Sequence, residues 1–343
     1  MCLPRVSFTV GISLLLLCCA PWACPAQVNR CVVLAYNAEN LFDPRVDSVN
    51  RDTTFTPSGA YHWTTKRLQA KAVGLSKAII NAGHGLPVAL IGLAEVENRR
   101  VLEVLRDRTP LRRLGYRIVH RDSPDPRGID VALLYRPDLA TLLRSAWIPV
   151  LTDSAAQLYS RDMLACAFAI GNDTLWVVQC HWPSKRGSGA LSDSRRLAAL
   201  HQLRHYLDSL RSLQPLAKIL VMGDFNDESN SSLFTRIANK QLSTAIQQGL
   251  LYLLPRMAED KEPSAGYKYH GRWEQIDHMF ASPSLLSRKG LHISGGGFYL
   301  GSHSSLLEED WAYGGVRPLR TYQGPQYYGG VSDHLPIGVV LAW

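Results

Sequence analysis

The C-terminal stretch GGVSDHLPIGVVLAW, residues 329–343, joins two patterns of opposite polarity. Val331, Leu335, Ile337, Val339, Val340 and Leu341 supply a largely buried strand. At its mouth stand Ser332, Asp333 and His334, just before Pro336. A buried apolar strand gains no stability from an Asp-His pair at its mouth, so the pair points to chemistry placed on a rigid mount. Working outward, the same arrangement recurs. Apolar runs that read as strands lie at 31–36 (CVVLAY), 88–94 (VALIGLA), 116–120, 129–135 (IDVALLY), 163–170, 174–180 (TLWVVQC), 217–222 (AKILVM), 276–281 and 335–342. Each is short, rich in Val, Ile and Leu, and bounded by Gly, Pro, Asp or Asn.

Polar residues fall at the ends of these runs. Asn37 follows the first, Glu95 the second; Asp130 opens IDVALLY, and His181 ends TLWVVQC with Lys185 and Arg186 close behind. Asp224 and Asn226 follow AKILVM in GDFND, and Asp277 opens the run in QIDHMF. Taken singly, each is an ordinary turn or structural residue. Turn chemistry does not, however, demand Glu, Asp, Asn and His together at the mouths of successive strands. Glu97 and the acids of the 96–108 helix read as a solvated face.

Two helical periods separate some of the strands. Leu68, Ala72, Leu75 and Ile79 form one face, with Gly83 as its stop; Leu197, Leu200, Leu203, Leu207 and Leu210 form another, capped by Ser192 or Asp193. Other strands follow one another by short turns, which excludes a regular doubly wound sheet. The pattern suits an α+β architecture in which two sheets pack together with helices outside. Residues 295–330, rich in Gly, Tyr and Pro, read as a long ordered loop of functional importance. Internal repeats, low-complexity tracts and runs of like charge are all missing from the sequence.

The first 26 residues have the layout of a secretory signal peptide: Arg5, an apolar run from Val10 to Ala20, then small residues and Pro. That run is too short for a comfortable membrane span, and residues 27–343 are left as one catalytic domain with no transmembrane segment. Export to the periplasm, the outer-membrane surface or the extracellular space follows, with a lipid anchor on Cys19 or Cys24 left open. Cleavage removes Arg5 alone among the charges, taking the formal net charge from +8 to +7. It also removes four of seven cysteines, and the odd remainder (Cys31, Cys166, Cys180) suits neither a disulfide framework nor zinc spacing. The basic balance fits an anionic substrate, a phosphate ester or nucleic acid.

The polar set has a common chemical purpose. Phosphoester hydrolysis needs neutralised phosphoryl oxygens, an activated water and help for the leaving group. Hard oxygen donors such as Glu95, Asp333 and Asn37 suit Mg²⁺ or Mn²⁺, and His334 can take a proton from water if a carboxylate fixes its tautomer. The ordered set YNAENLFD (36–43), AEVEN, GIDVALLYR, HWPSKR, GDFND, QIDHMF and SDHLPI (332–337) resembles the endonuclease/exonuclease/phosphatase superfamily over essentially the whole mature chain. That resemblance implies a four-layer α/β sandwich, two β-sheets face to face with helices outside, and a site at one end. It implies Glu95 and Asp333 as metal-site acids and Asn37 as the amide that helps position metal and phosphate. Asp224 and Asn226 would orient the water and the phosphate. His334 would be the base and Asp277 its partner; His181 would contact phosphate, with Asp130 orienting it. Two positions depart from the family's pattern: Ala94 stands before Glu95 where Gln is frequent, and Gln179 where Asn is frequent.

Two substrates remain open. Export, positive charge and Lys185 and Arg186 favour a phosphodiesterase or nuclease acting on DNA or RNA, with Trp63, Trp182, Trp273 and Trp311 as stacking surfaces. Alternatively, Arg317, Arg320, Tyr322, Tyr327 and Tyr328 shape a pocket for inositol phosphates or phospholipid head groups. A third possibility, a non-catalytic binding protein, is disfavoured because every matching position carries a competent residue.

Overall fold

The computed structural model describes residues 29–45, 53–153, 158–185, 189–258 and 263–343; the signal peptide expected over residues 1–26, and Arg186, lie outside them. The first half forms β1 (Arg30–Leu41), α1 (Thr65–Ala82), β2 (Val88–Val96), α2 (Arg99–Asp107), β3 (Arg117–Val119), β4 (Asp130–Tyr135), β5 (Thr141–Asp153), β6 (Leu158–Ile170) and β7 (Asp173–His181). Next come α3 (Gly189–Leu213), β8 (Lys218–Asp224), β9 (Ala238–Asn239), α4 (Leu242–Gln248), β10 (Leu251–Leu253), β11 (Tyr267–Tyr269), β12 (Arg272–Glu274) and β13 (Asp277–Ala281). The chain closes with α5 (Pro283–Leu286), β14 (His292–Leu300), β15 (Leu307–Glu309), β16 (Val316–Pro318), β17 (Tyr322–Gln323), β18 (Gln326–Tyr327) and β19 (Ile337–Ala342).

One sheet runs β14-β19-β1-β2-β4-β3 and the other β5-β6-β7-β8-β13-β10-β9. Alternation along each central strand builds four layers. On β1, Cys31, Val33 and Ala35 enter the core between the sheets, while Val32, Leu34 and Tyr36 pack with residues of α1 and α2. On β8, Leu220 and Met222 face the first sheet, while Ile219 and Val221 pack with residues of α3. Strands covered on both faces need apolar residues at every position, which is why these segments read as continuous apolar runs.

Each sheet has a central parallel pair, β1 with β2 and β7 with β8, with a long helix (α1 or α3) in each crossover; β9 and β10 form a second, short parallel pair at the edge of the larger sheet. Antiparallel strands flank both central pairs: β19 and β4 in one sheet, β13 and β6 in the other. The C-terminal ends of β1, β2, β7 and β8 therefore share an edge with the N-terminal ends of β4, β13 and β19. In register, His181 and Asp277 both lie opposite Asp224.

Several elements differ from expectation. The helix expected to be capped at Ser192 or Asp193 begins at Gly189, and Asp193 pairs with Arg196 one turn on. Edge strand β5, with Arg144, Ser145 and Pro149 among its apolar residues, and β14, with three consecutive glycines, carry too weak a pattern to read as strands. Residues 295–330 are not a loop throughout; they finish β14 and build the hairpins β15–β16 and β17–β18. Glu97 is buried and accepts the Asp43 N–H at 2.5 Å, so it ties down the 37–43 turn instead of facing solvent.

Gly223 sits where β7 and β8 deliver His181 and Asp224. Its φ is +132°, and a Cβ there would lie 2.1 Å from the Cys180 carbonyl oxygen. Gly223→Ala is expected to cost about 1–3 kcal/mol of stability, measured as a fall in the urea midpoint. An unchanged midpoint would mean that the two strands separate there freely.

Candidate active site

Three carboxylates share one design: each is anchored through one oxygen and turns the other toward the same space. Glu95 Oε2 accepts the Asn40 N–H at 2.8 Å, while Oε1 lies 3.9 Å from His181 Nε2. Asp224 Oδ1 accepts the Asn226 N–H at 2.8 Å; its Oδ2 lies 3.7 Å from His181 Nε2 and 3.9 Å from His334 Nε2. Asp333 Oδ2 accepts from Arg320 at 2.5 Å, and Oδ1 lies 3.9 Å from His334 Nε2. Backbone conformation produces these anchors. Glu39, Asn40, Glu95 and Asn226 all adopt left-handed φ values of 48°, 53°, 59° and 51°. The β1–β2 ladder is irregular between Asn37 and Leu41, and the β2–β4 ladder between Ala94 and Val96, so the strand ends turn Glu95 out of the ladder.

His334 Nδ1 lies 2.6 Å from Asp277 Oδ2, and Ser332 Oγ accepts the His334 N–H while donating to the Asn37 carbonyl. Burial opposes charge on His334, but Asp277, then Asp224 and Asp333, outweigh it and raise its pKa well above 6.5. Burial and the neighbouring Asp277 push Asp224 up to about 7. His181 moves the other way: burial, then Arg161 and Arg127, hold it well below 6.5. The Asn37 side chain donates to Asp224 Oδ2 at 3.0 Å and accepts the Glu39 N–H at 2.9 Å, so it fixes Asp224.

Ligating atoms of Asp224, Asp277 and His334 all fall within 4.8 Å of one another. Inward oxygens on Glu95, Asp224 and Asp333 add hard donors around a buried centre of like charge. This donor set fits a divalent cation of the Mg²⁺ or Mn²⁺ kind.

A family model described as the Endonuclease/Exonuclease/phosphatase family matches residues 32–343. The chain belongs to this family. Solved structures share its fold at low sequence identity. Humanized D. rerio TDP2 superposes with a TM-score of 0.54 at 13% identity, over 91% of this chain and 98% of that one. The human Nocturnin catalytic domain with bound sulfate gives 0.53 at 16%, over 91% and 94%. The Bacteroides thetaiotaomicron mannosyl-6-phosphatase gives 0.52 at 14%, over 91% and 100%. The comparison with curated proteins found no match. Endonuclease/exonuclease/phosphatase proteins are divalent-metal-dependent phosphoesterases, and the two face-to-face sheets described above are the fold of that family.

The fold brings Asn37, Glu95, His181, Asp224, Asn226, Asp277, Asp333 and His334 to one edge. Asp130 is a correction. Its carboxylate accepts from the Ser123 N–H and hydroxyl and lies 3.4 Å from His120 Nε2. Among the described residues His181 Nδ1 has no hydrogen-bond partner, so Asp130 does not orient it. What holds that segment is Arg161, whose guanidinium donates to the His181 and Trp182 carbonyls at 3.0 and 3.3 Å. A charged residue inside the strand LYSRDMLACAFAI was the signal for it.

Lys185 is exposed and pairs with Asp227 at 2.9 Å. Trp63 and Trp182 are core residues; Trp273 lies beneath Lys268, and Trp311 is exposed. Tyr322 and Tyr327 pack against Tyr61, Arg67 and each other, behind the site wall.

A second residue missed from sequence is Lys71, on the same helix face as Leu68 and Leu75. Fully buried, it donates to Thr321 Oγ1 and the Val331 carbonyl and lies 3.6 Å from Glu39. Glu39 in turn accepts the Thr321 N–H at 2.7 Å. Burial, with Asp333 adding to it, pushes Glu39 up to about 7, and burial pushes Lys71 down. Lys71→Met is expected to cost about 3–5 kcal/mol by taking the buried cation away from a buried acid that keeps only Arg320, at 3.8 Å, as a charged partner, and adding Glu39→Gln should restore part of it. Strictly additive losses in a denaturant double-mutant cycle would rule out that coupling.

Proposed function

We propose that this chain hydrolyses a phosphoester with His334 as general base, beside a divalent cation held by Glu95, Asp224 and Asp333. The observation that carries the proposal is the placement of His334. With Nδ1–H given to Asp277, Nε2 faces the space bounded by Asp224 and Asp333, and a cation there would offset the acids that keep the ring protonated, freeing Nε2 to act as a base. A water in that space can lose its proton to Nε2, and Asp277 stabilises the imidazolium that forms. Neutral His181 can donate to a phosphoryl oxygen, while Asn37 and the Asn226 backbone hold Asp224 in line. When bound, the cation neutralises phosphoryl charge and lowers the pKa of water.

Export remains a proposal resting on residues 1–26. Of the two substrates, a phosphorylated small alcohol is favoured over a nucleic acid. Support comes from Arg320, which the 300–330 region places against Asp333 at 2.5 Å, closing the site on that side. Lys185, a basic residue that would have met a polymer, is already paired.

His334→Ala is expected to lower kcat on bis-p-nitrophenyl phosphate by about 10²–10⁴-fold, Asp277→Asn by less, and EDTA to abolish turnover. Wild-type turnover by His334→Ala would sink the assignment. Below about pH 7 a cation must displace the Asp224 proton, so cation affinity should rise as pH is raised through about 7. Calorimetric titration across that range checks this; a flat affinity would remove Asp224 from the cation's neighbours.

A further inference from the structure

Two hairpins, β11–β12 and β15–β16, enclose a cavity of about 230 Å³ whose inner wall is Arg320 and Asp333. Two contacts fix its place beside the chemistry. Tyr267, the first residue of β11, bridges to His334, and its ring lies 4.8 Å from the imidazole. Arg320 bonds the outer oxygen of Asp333, whose inner oxygen faces His334.

Every cation on this wall has a matching carboxylate. Lys268 pairs with Asp310 at 2.8 Å and donates to the Gly314 and Val316 carbonyls. Arg317 pairs with Glu308 at 2.8 Å and donates to Gln323 Oε1 at 3.0 Å. Arg320 pairs with Asp333. No surplus positive charge is left for a second phosphate or a nucleic-acid backbone, which is held by unmatched Lys and Arg. The cavity offers instead donors and acceptors side by side. A hydroxyl group is both donor and acceptor, so neighbouring hydroxyls can bond both members of such a pair, whereas an anion serves only the donors and an apolar group serves neither. Tyr269 and Tyr313, 55% and 56% exposed, also line the cavity. The volume falls below the ~300–1,000 Å³ of pockets for drug-sized ligands, which limits the occupant to about one ring.

We propose that this cavity receives the alcohol part of the substrate, and that this alcohol is a polyhydroxylated ring of hexose or cyclitol size. The inference rests on the phosphoesterase proposed above. In the reaction the water oxygen bonds to phosphorus and the bond from phosphorus to the alcohol oxygen breaks. One water proton passes to His334, and the departing oxygen takes a proton from solvent to leave as the free alcohol.

The test uses the full chain with Mg²⁺ or Mn²⁺ and two matched pairs of esters. Hexose 6-phosphate is set against cyclohexylmethyl phosphate, and a cyclitol monophosphate against cyclohexyl phosphate. At least one hydroxylated ester should exceed its bare-ring partner by about 100-fold or more in kcat/KM, because unpaired buried polar groups penalise the analogue lacking hydroxyls. Gln323→Ala and, separately, Arg317→Met should each cut that ratio about tenfold. Equal kcat/KM within both pairs, a ratio unmoved by either variant, or faster turnover of single-stranded DNA than of any of these esters would overturn the inference while leaving a working phosphoesterase. Turnover of none of these esters, of DNA or of bis-p-nitrophenyl phosphate would overturn the phosphoesterase itself, and the inference with it.

Discussion

Carboxylates crowded into a buried space repel one another, and the rest of this site follows from managing that repulsion. Glu95, Asp224 and Asp333 keep their positions because each has one oxygen tied down, to the Asn40 N–H, the Asn226 N–H and the Arg320 guanidinium. The remaining oxygens cannot turn away from each other without breaking those bonds. Burial, reinforced by the charge of Asp277, pushes Asp224 up, and the acids around His334 outweigh its burial and hold it well above its ordinary range. A cation relieves the same repulsion, so the framework that costs stability without metal is the one that binds it.

The sheets supply the rigidity this needs. Each contributes a parallel pair flanked by antiparallel strands, so two sets of strand ends meet at one edge, and hydrogen bonds cross between the sheets there. Asn37 from β1 reaches Asp224 at the end of β8, and His334, preceding β19, reaches Asp277 at the start of β13. Because these residues sit within three positions of strands buried on both faces, a shift of either sheet would have to disturb the packed core between them. Fixed donors and acceptors of this kind need little reorganisation when charge develops in a reaction.

Strand interiors and strand mouths were legible in the sequence because they obey different rules. Val32 to Tyr36 and Ile219 to Met222 show their burial by composition alone, and Glu95, Asp224, Asp277 and His334 stand out against it. What was not legible depends on neighbours remote in sequence. Asp130 opens its strand as a site residue would, yet it faces Ser123 and His120, and nothing in GIDVALLYR distinguishes the two outcomes. Lys71 and Arg161 looked like breaks in an apolar pattern, and their partners, Glu39 and Thr321 for one and the His181 carbonyl for the other, lie in other elements. Edge strands β5 and β14 escaped notice because an edge is covered on fewer sides and tolerates Arg144 or a run of glycines. Trp63 and Trp182, read as stacking surfaces, show that an aromatic residue signals burial more readily than contact with a ligand.

The division of labour between core and wall bears on specificity. The residues proposed to carry the chemistry stand on strands whose positions the core dictates, whereas the cavity beside them is built from short hairpins outside both sheets. Hairpins of this kind can change in length and sequence without disturbing the packing that holds Glu95, Asp224 and His334. Arg320 and Asp333 are where the two parts meet, since one bond both closes the cavity and fixes a carboxylate of the acidic cluster. An alcohol filling the cavity would therefore press on the same guanidinium that positions Asp333. Occupancy of the wall and the geometry of the site are in this way linked through a single ion pair, which allows a correct alcohol to favour its own hydrolysis over that of a fragment that leaves the cavity filled with water.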